Sequence, residues 1–572
     1  MVRASIGEGA LSPRLQRLLR TTFGLPSLRE GQRAVIERVL SGRDTLAVMP
    51  TGAGKSLCYQ LPALALGGRT VVVSPLIALM KDQCDKLSAL GLAAVSVHAA
   101  LPAEERDAAL AAVADGAAAF VFVTPERLAD ADFRRLLASR SVEMLVVDEA
   151  HCIAQWGHDF RPAFLDIGLA RASLGRPTVL ALTATASPDT IADVCGQLGI
   201  PPGGVLSTGS WRANLRYRVE HLGDDAGKLD RLVAMVAASE GSGLVYTATV
   251  NAAEDVARAL EVAGVSARCY HGRMAAAERH EVQDAYMAGT LRVVVATNAF
   301  GLGIDKPDTR FVVHYQMPGS LDAYCQESGR AGRDGEPADC TLLFLRGDKS
   351  VQQFFLAGRY PAAADLEAIY QALHREAPEG WTAESLADAV RRPRTKVTAV
   401  LSLLKQARVL AADRAGRLRL VRPDLVADEL AELQVRYVRK REQAQDTLER
   451  MVAYALTGRC RWRTLLEHFG EAAPFDSCGT CDNCVRLAGV ADVVAAVAPE
   501  PEASAALPPT FDVGAAVKVR RYGTGTVVTS GDGSVTVAFP EGKQREFLAE
   551  FVTRVPPRRT RSVVRAVPTT AE

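Results

Sequence analysis

Between about residues 28 and 344 the chain alternates short apolar runs with longer amphipathic segments, and it does so twice. Residues 70–73, 120–123, 144–147 and 178–182 are the clearest runs of the first set. After Arg212 the pattern restarts, with runs at 244–246, 267–270, 292–296, 311–314 and 340–344. Strand-like runs that alternate with helix-length segments predict a parallel sheet covered by helices. Two such α/β lobes are expected to face each other. Ligands of open parallel sheets bind beyond the carboxyl ends of the strands, so a site between the lobes can draw residues from both.

Three motifs fall where such a site needs them. Thr51-Gly52-Ala53-Gly54-Lys55-Ser56 follows the apolar run 46–49 and opens a predicted helix, so backbone N–H groups and the helix N-terminus can surround a polyphosphate. Met49 stands where the general pattern has its first glycine, so this stretch alone is also compatible with an ordinary turn. Asp148-Glu149-Ala150-His151 ends the run 144–147, a placement that a solvated helix start would share. Gln326-Glu327-Ser328-Gly329-Arg330-Ala331-Gly332-Arg333 belongs to the second set. Taken together and in this order, they predict hydrolysis of a nucleoside triphosphate. Lys55 would reach the β/γ oxygens, Ser56 and Asp148 would hold Mg²⁺, Glu149 would orient the attacking water, and Arg330 and Arg333 would meet the transition-state charge.

The chain's 572 residues exceed a single core and predict about three to five domains. Its apolar stretches fall short of the roughly 20 residues of a spanning helix, and residues 1–20 lack a secretory apolar core, so a cytoplasmic protein with no membrane association is expected. Lys+Arg 67 against Asp+Glu 66 gives a net charge of +1, so any nucleic-acid surface must be local. Arg391, Arg392, Arg394, Lys396, Lys405 and Arg408 form one acid-free basic stretch, and Arg558, Arg559, Arg561 and Arg565 form another, both also readable as solvated charge. Eleven cysteines are present. Cys58, Cys84, Cys152, Cys195, Cys269, Cys325 and Cys340 are scattered and read as buried thiols. Cys460, Cys478, Cys481 and Cys484 end in a C-x-x-C-x-x-C run whose spacing suits a closed, structural Zn²⁺ site, with an iron–sulfur cluster as the alternative.

The predicted organisation is a first lobe at 1–208 and a second at 209–348, then a winged helix at 360–425. A zinc-binding helical subdomain follows at 426–488, a linker at 489–510, a small SH3/Tudor-like β-barrel at 511–556 and a disordered basic tail at 557–572. The winged helix rests on helical spacing at Leu366, Ile369, Tyr370 and Leu373, a short helix at 384–390, and a third helix striped by Val397, Val400, Leu401 and Leu404. A hairpin signal at Asp413-Arg414-Ala415-Gly416 completes it. Arg394 and Lys396, at the start of the third helix, are candidate phosphate contacts; a partner-binding winged helix without DNA is the alternative. Residues 490–509, rich in Ala, Pro and Glu, read as the linker. Short strand candidates at 517–519, 525–529, 535–539 and 545–548, with a turn at Gly531-Asp532-Gly533, build the barrel.

Several stretches resemble the RecQ family of DNA helicases, within helicase superfamily two, over about residues 28–347 and 441–484. Leu28-Arg29-Glu30-Gly31-Gln32 looks like its adenine-reading motif, the stretch 74–83 its next motif, and Leu182-Thr183-Ala184-Thr185-Ala186 the motif coupling the lobes. The most specific is His151-Cys152-Ile153-Ala154-Gln155-Trp156-Gly157-His158-Asp159-Phe160-Arg161-Pro162, similar to the aromatic-rich loop that couples DNA contact to ATP hydrolysis. The stretch 296–307, carrying Asp305, also matches. Cys460-Arg461 leading into His468-Phe469-Gly470-Glu471 is similar to the family's zinc-binding subdomain.

The resemblance implies two RecA-like lobes and a 3′ to 5′ ATP-dependent DNA helicase acting in repair or recombination. It implies nucleotide contacts from Arg29, Gln32, Thr51, Gly52, Gly54, Lys55, Ser56 and Asp305, with Arg333 the arginine finger. It implies DNA contact or coupling by His151, Trp156, His158, Phe160 and Arg161; Trp156 and Phe160 can stack on unpaired bases and Arg161 can approach a phosphate. The partner expected is single-stranded, tailed or forked DNA, the expected unit is a monomer, and the barrel, weakly similar to that of UvrD-type helicases, suggests a protein contact. An RNA-directed or non-unwinding translocase and a docking adaptor are the alternatives. The sequence departs from the family at Leu25, where an aromatic is usual, at Thr247-Ala248-Thr249-Val250 in the fourth motif, in a winged helix that precedes the cysteines, and in a wing tip without an aromatic.

Overall fold

The computed structural model describes the chain except residues 1, 4–10, 30, 155–161, 299, 301–305, 360–362, 376–379, 408, 414–416, 423–426, 498–509, 532 and 557–572. Two compact units are present, residues 1–488 and 489–572.

In the first lobe eight parallel strands are ordered Val2–Arg3, Val205–Ser207, Thr45–Val48, Thr178–Thr183, Val142–Val147, Arg69–Val73, Phe120–Val123 and Ala94–Val97. The central strands are apolar on both faces because helices cover both, and separate cores lie on the two sides. The strands at Thr45–Val48 and Val142–Val147 end at the two first-lobe motifs, which brings both to the carboxyl edge of one sheet. The second lobe has six parallel strands, ordered Ala267–Tyr270, Val293–Ala296, Ser242–Tyr246, Thr309–His314, Ala338–Phe344 and Leu215–His221. A buried ion pair, Lys228 Nζ to Asp348 at 2.7 Å, ties the helix Asp225–Ala238 to the segment leaving this lobe.

The helices Ala363–Leu373, Ala383–Val390 and Arg394–Gln406 pack with the hairpin Leu410–Ala412 and Leu418–Leu420, the winged-helix arrangement, around their own core. A helix of 30 residues, Ala427–Leu456, then leads to the short helix Arg461–His468 and the cysteine-bearing turns. The core of this helical subdomain is continuous with that of the second lobe: Leu448, Met451, Trp462 and Leu465 share a cluster with Tyr217, Tyr324 and Leu342.

One helix crosses an expected boundary. Asp482–Val497 continues into the segment read as a linker, since residues 490–497 are mostly Ala and Val without Pro or Gly to stop the helix. The second unit holds a five-stranded antiparallel sheet ordered Gln544–Leu548, Ser534–Ala538, Gly523–Gly531, Ala516–Val519 and Val552–Arg554, around Val517, Val527, Val535 and Val537. Gly531 pairs with Ser534 across a two-residue connection in which Gly533 has φ +81°, a left-handed conformation that glycine adopts freely. Among the described residues no helix is long and apolar enough to cross a membrane.

Candidate active site and metal centre

The turn at residues 51–56 is held by two side chains from upstream of its own strand. Gln32 is 2% exposed; its Nε2 donates to the carbonyls of Ala53 and Gly54, both at 3.0 Å, while its Oε1 accepts from the Arg29 N–H at 2.7 Å. Arg29 also donates through Nη1 to the Gly52 carbonyl. Gly52 and Gly54 have φ +86° and +78°, and a Cβ added at Gly54 would lie 2.5 Å from Gln32 Nε2. Glycine is therefore needed at 54 for backbone conformation and for space. Ser56 leads directly into the helix Leu57–Leu66, and Lys55 folds back to donate to the Met49 carbonyl at 3.3 Å.

Asp148 continues the sheet, its N–H donating to the Val73 carbonyl at 2.9 Å. The chain then turns sharply: Glu149 has φ 49° and ψ 47°, a left-handed conformation that costs a non-glycine residue on the order of 1 kcal/mol. The turn ends the strand and starts the short helix Ala150–Ile153, placing two adjacent carboxylates on one cleft. His151 Nδ1 lies 3.3 Å from Glu149 Oε2 and 3.1 Å from Thr183 Oγ1, and Thr183 in turn donates to the Thr185 carbonyl at 2.9 Å. These contacts join the Asp148-Glu149 turn to the stretch 182–186. Burial pulls the Lys55 ammonium below its ordinary range although Glu149 and Asp148 oppose the shift. Burial, then repulsion from Glu149, pushes the Asp148 carboxyl up to about 7 against the pull of Lys55.

The second lobe closes the third side. A Cβ added at Gly52 would lie 3.8 Å from Arg333 Cγ, and one added at Gly329 would lie 3.8 Å from Thr51 Oγ1. Arg333 also acts electrostatically on Lys55, whereas Arg330 is 6% exposed beside Tyr246 and Tyr286. Lys55, Asp148, Glu149 and Arg333 thus share one cleft.

The Sγ atoms of Cys460, Cys478, Cys481 and Cys484 lie within 4.8 Å of one another, with Cys478 and Cys484 3.8 Å apart. A tetrahedral Zn²⁺ with Zn–S near 2.3 Å has sulfurs about 3.8 Å apart, so the cluster fits that ion and fills its coordination. Arg461 braces the cluster, its N–H donating to Cys481 Sγ at 3.4 Å and its guanidinium gripping Asp482 at 3.0 and 3.1 Å. Asp482 also accepts from the Val219 N–H at 3.0 Å.

Residues 29–194 match the DEAD/DEAH box helicase family, 227–335 the helicase conserved C-terminal domain and 427–485 the RecQ zinc-binding family. An ATP-dependent DNA helicase RecQ of Synechocystis sp. is 34% identical over 487 residues, 82% of this chain and 98% of that protein. The chain belongs to the RecQ family of DNA helicases. RecQ of Bacillus subtilis is 36% identical over 482 residues, 84% of this chain and 68% of that protein. The DUF1998 helicase MrfA bound to DNA shares the fold at 18% identity and a TM-score of 0.51, over 74% of this chain and 64% of that one.

Trp156, His158, Phe160 and Arg161 of the aromatic-rich loop, and Asp305, lie outside the described residues, as do Arg408 and the four arginines of the tail. Arg394 pairs with Glu384 at 3.0 Å, and Lys396 and Arg392 both pair with the buried Asp365, at 3.1 and 2.6 Å, so all three bind acids of their own domain. Leu25 is 40% exposed. In the altered fourth motif Thr249 caps the helix Val250–Val262, and Thr247 donates to the Thr249 carbonyl at 3.1 Å.

Two residues escaped the motif reading. Arg212 donates to the carbonyls of Gly329, at 2.9 Å, and Gly332, and Asn214 donates to Gly332 and Glu336, both at 2.8 Å; together they hold the loop that bears Arg330 and Arg333. Their signal in the sequence is a compact Trp-Arg-Ala-Asn just before the second set of strands.

Proposed function

We propose that this RecQ-family chain hydrolyses ATP between its two lobes and uses the cycle to move 3′ to 5′ along single-stranded DNA, unwinding duplex DNA in repair or recombination in the cytoplasm. One observation carries the reading. The phosphate-binding turn of the first lobe lies against the arginine-bearing loop of the second, with Asp148 and Glu149 on the remaining side. Lys55 neutralises the β/γ-phosphates, Glu149 orients the attacking water, and Arg333, from the opposite lobe, compensates charge in the transition state with Arg330 behind it. Ser56 and Asp148 would hold Mg²⁺, which supplies charge neutralisation at the phosphates when bound. Arg29 and Gln32 hold the turn in shape while nucleotide enters.

Nucleotide that touches both lobes favours the closed cleft, and its hydrolysis releases that preference. His151 and Thr183 lie between Glu149 and the lobe-coupling motif, so the same closure reaches the start of the aromatic-rich loop. Trp156 and Phe160 would stack on bases and Arg161 would meet a phosphate, which couples DNA occupancy to hydrolysis. The polarity rests on family membership. For the barrel, we favour a protein contact.

Phosphate release stimulated by single-stranded DNA, and displacement of a strand from forked and tailed duplexes of both polarities, test the proposal. Lys55→Ala and Asp148→Ala should abolish both while zinc content stays at the parent level. Trp156→Ala should keep basal hydrolysis and lose its stimulation by DNA. Full turnover in Lys55→Ala, or equal stimulation of Trp156→Ala and parent, contradicts the assignment, and stronger stimulation by RNA than by DNA redirects it.

A further inference from the structure

The four residues His468-Phe469-Gly470-Glu471 have no part in nucleotide chemistry or metal ligation, yet each reaches a different part of the motor. His468 Nε2 lies 3.0 Å from Asp322 Oδ2, on the second-lobe helix Leu321–Ser328. Phe469, 2% exposed, lines a small cavity with Pro50 and Thr51 of the phosphate-binding turn, Thr185, and Gln326 of the arginine-bearing motif. Gly470 has φ +67°, and a Cβ added there would lie 3.1 Å from Cγ of Pro188, the first residue of the first-lobe helix Pro188–Leu198. Glu471 takes both of its bonds from Ser210: the Ser210 N–H donates to Oε2 at 2.8 Å and the hydroxyl donates to Oε1 at 2.9 Å.

Ser210 lies in the connection between the last strand of the first lobe, Val205–Ser207, and the first strand of the second, Leu215–His221. Beyond Ser210 this connection is fixed. Trp211 packs on Phe475 with ring centroids 5.3 Å apart, Arg212 and Asn214 grip the arginine-bearing loop, and Trp462 Nε1 donates to the Leu215 carbonyl at 3.0 Å. Before Ser210 stand Thr208, whose N–H donates to the Val48 carbonyl at 3.1 Å, and Gly209, whose N–H donates to Ser207 Oγ at 3.2 Å, both on the first-lobe side. Gly209 has φ +86°, and a Cβ added there would lie 3.8 Å from Glu471 Oε2. A rotation of one lobe against the other must be absorbed by a few backbone torsions, and the pinned residues cannot supply them.

We propose that Glu471 is a positioning residue of the motor. By holding Ser210 at two points it confines the interlobe hinge to the torsions about Gly209, so that closure brings Arg333 back to the same place over the phosphate-binding turn in each cycle. The zinc subdomain is then the strut of the hinge, through the helix Arg461–His468 that leads into this turn. A free connection would still let nucleotide bind and hydrolyse, but closure would no longer be guided to one geometry.

The quantity that separates guidance from mere stability is base pairs unwound per ATP hydrolysed, because partial unfolding lowers both rates together and leaves their ratio unchanged. In the full chain Glu471→Ala should lower this ratio about tenfold with zinc still at the parent stoichiometry, as expected when positioning by two charge-assisted bonds is lost. Glu471→Gln, which keeps one carbonyl acceptor, should fall between the two. Ser210→Ala removes the hydroxyl bond alone and should lower the ratio about threefold, half the free energy of the tenfold loss, since one of the two bonds remains. Adding Ser210→Ala to Glu471→Ala should lower it no further, since both act on one contact. A parent ratio in Glu471→Ala overturns the proposal, as do additive losses in the double variant. Should Glu471→Ala be recovered without zinc, Ser210→Ala decides, and a parent ratio there overturns it.

Discussion

At the scale of single residues, the interlobe cleft sets two cations, Lys55 and Arg333, against two carboxylates, Asp148 and Glu149, away from bulk water. Lys55, Asp148, Glu149 and Arg333 influence one another within one buried cleft, with the ammonium shifted down and the Asp148 carboxyl up to about 7. The residue types led to the expectation of a polyanion and a divalent cation there, which would compensate both sets of charges. The motif sequence did not disclose that Gln32 carries the shape of the turn, because a glutamine two bonds from two backbone carbonyls is a three-dimensional fact. It leads to a sharp expectation. Gly54→Ala places a methyl 2.5 Å from Gln32 Nε2 at φ +78°, so both bonds from Gln32 must break. The KM for ATP in DNA-stimulated phosphate release should rise about tenfold, in line with loss of one or two hydrogen bonds around a preorganised phosphate site. Gly91→Ala, at φ +73° with open space around it, carries the same backbone penalty and should leave KM unchanged. A parent-like KM in Gly54→Ala would show that Gln32 does not shape the site.

At the scale of elements, what could be read from the sequence follows burial. The central strands of both lobes were legible because each is apolar on two faces, as in Thr178–Thr183 and Val293–Ala296. Ala94–Val97 and Leu215–His221 lie at the sheet edges; the first is short and half-buried, and the second alternates buried and exposed residues with two arginines, so neither stands out as an apolar run. The helix Ala427–Leu456 was expected only as part of a helical subdomain, without bounds of its own, because its polar residues hide its spacing. The cysteines were the opposite case, a local spacing that fixes a local geometry. Cys481→Ser should reduce bound zinc, measured by elemental analysis, and lower the melting temperature of the chain, because a structural zinc site contributes apparent binding energy on the order of 10 kcal/mol to the folded state. Arg461→Met tests the neighbouring lock. It should retain zinc yet lower the melting temperature, since Asp482 loses a bidentate partner in a half-buried setting. Iron in the parent protein, or unchanged stability after zinc loss, would contradict this account.

At the scale of the whole molecule, residues 55, 148 and 333 could be expected to meet because two parallel sheets each present their carboxyl ends to one cleft. What the sequence concealed is how the two halves are joined, since Ser210 and Glu471 are 261 positions apart and neither belongs to a nucleotide motif. The second unit is a separate matter. Its sheet closes on Val517, Val527, Val535, Val537 and Phe511, all supplied from within residues 511–552, and the zinc ligands end at Cys484. A β domain with its own core does not need the lobes in order to fold, nor they it. A chain ending at residue 497 should therefore bind zinc at the parent stoichiometry, melt at the parent temperature and hydrolyse ATP on single-stranded DNA within about twofold of the parent rate, as expected for deletion of an independent domain. Residues 510–556 alone should show the circular dichroism of a β protein and a cooperative unfolding transition. A truncated chain that loses zinc or more than about tenfold in turnover, a loss above 1.4 kcal/mol in the barrier, would place the barrel inside the motor, and the division into two independent units would fail.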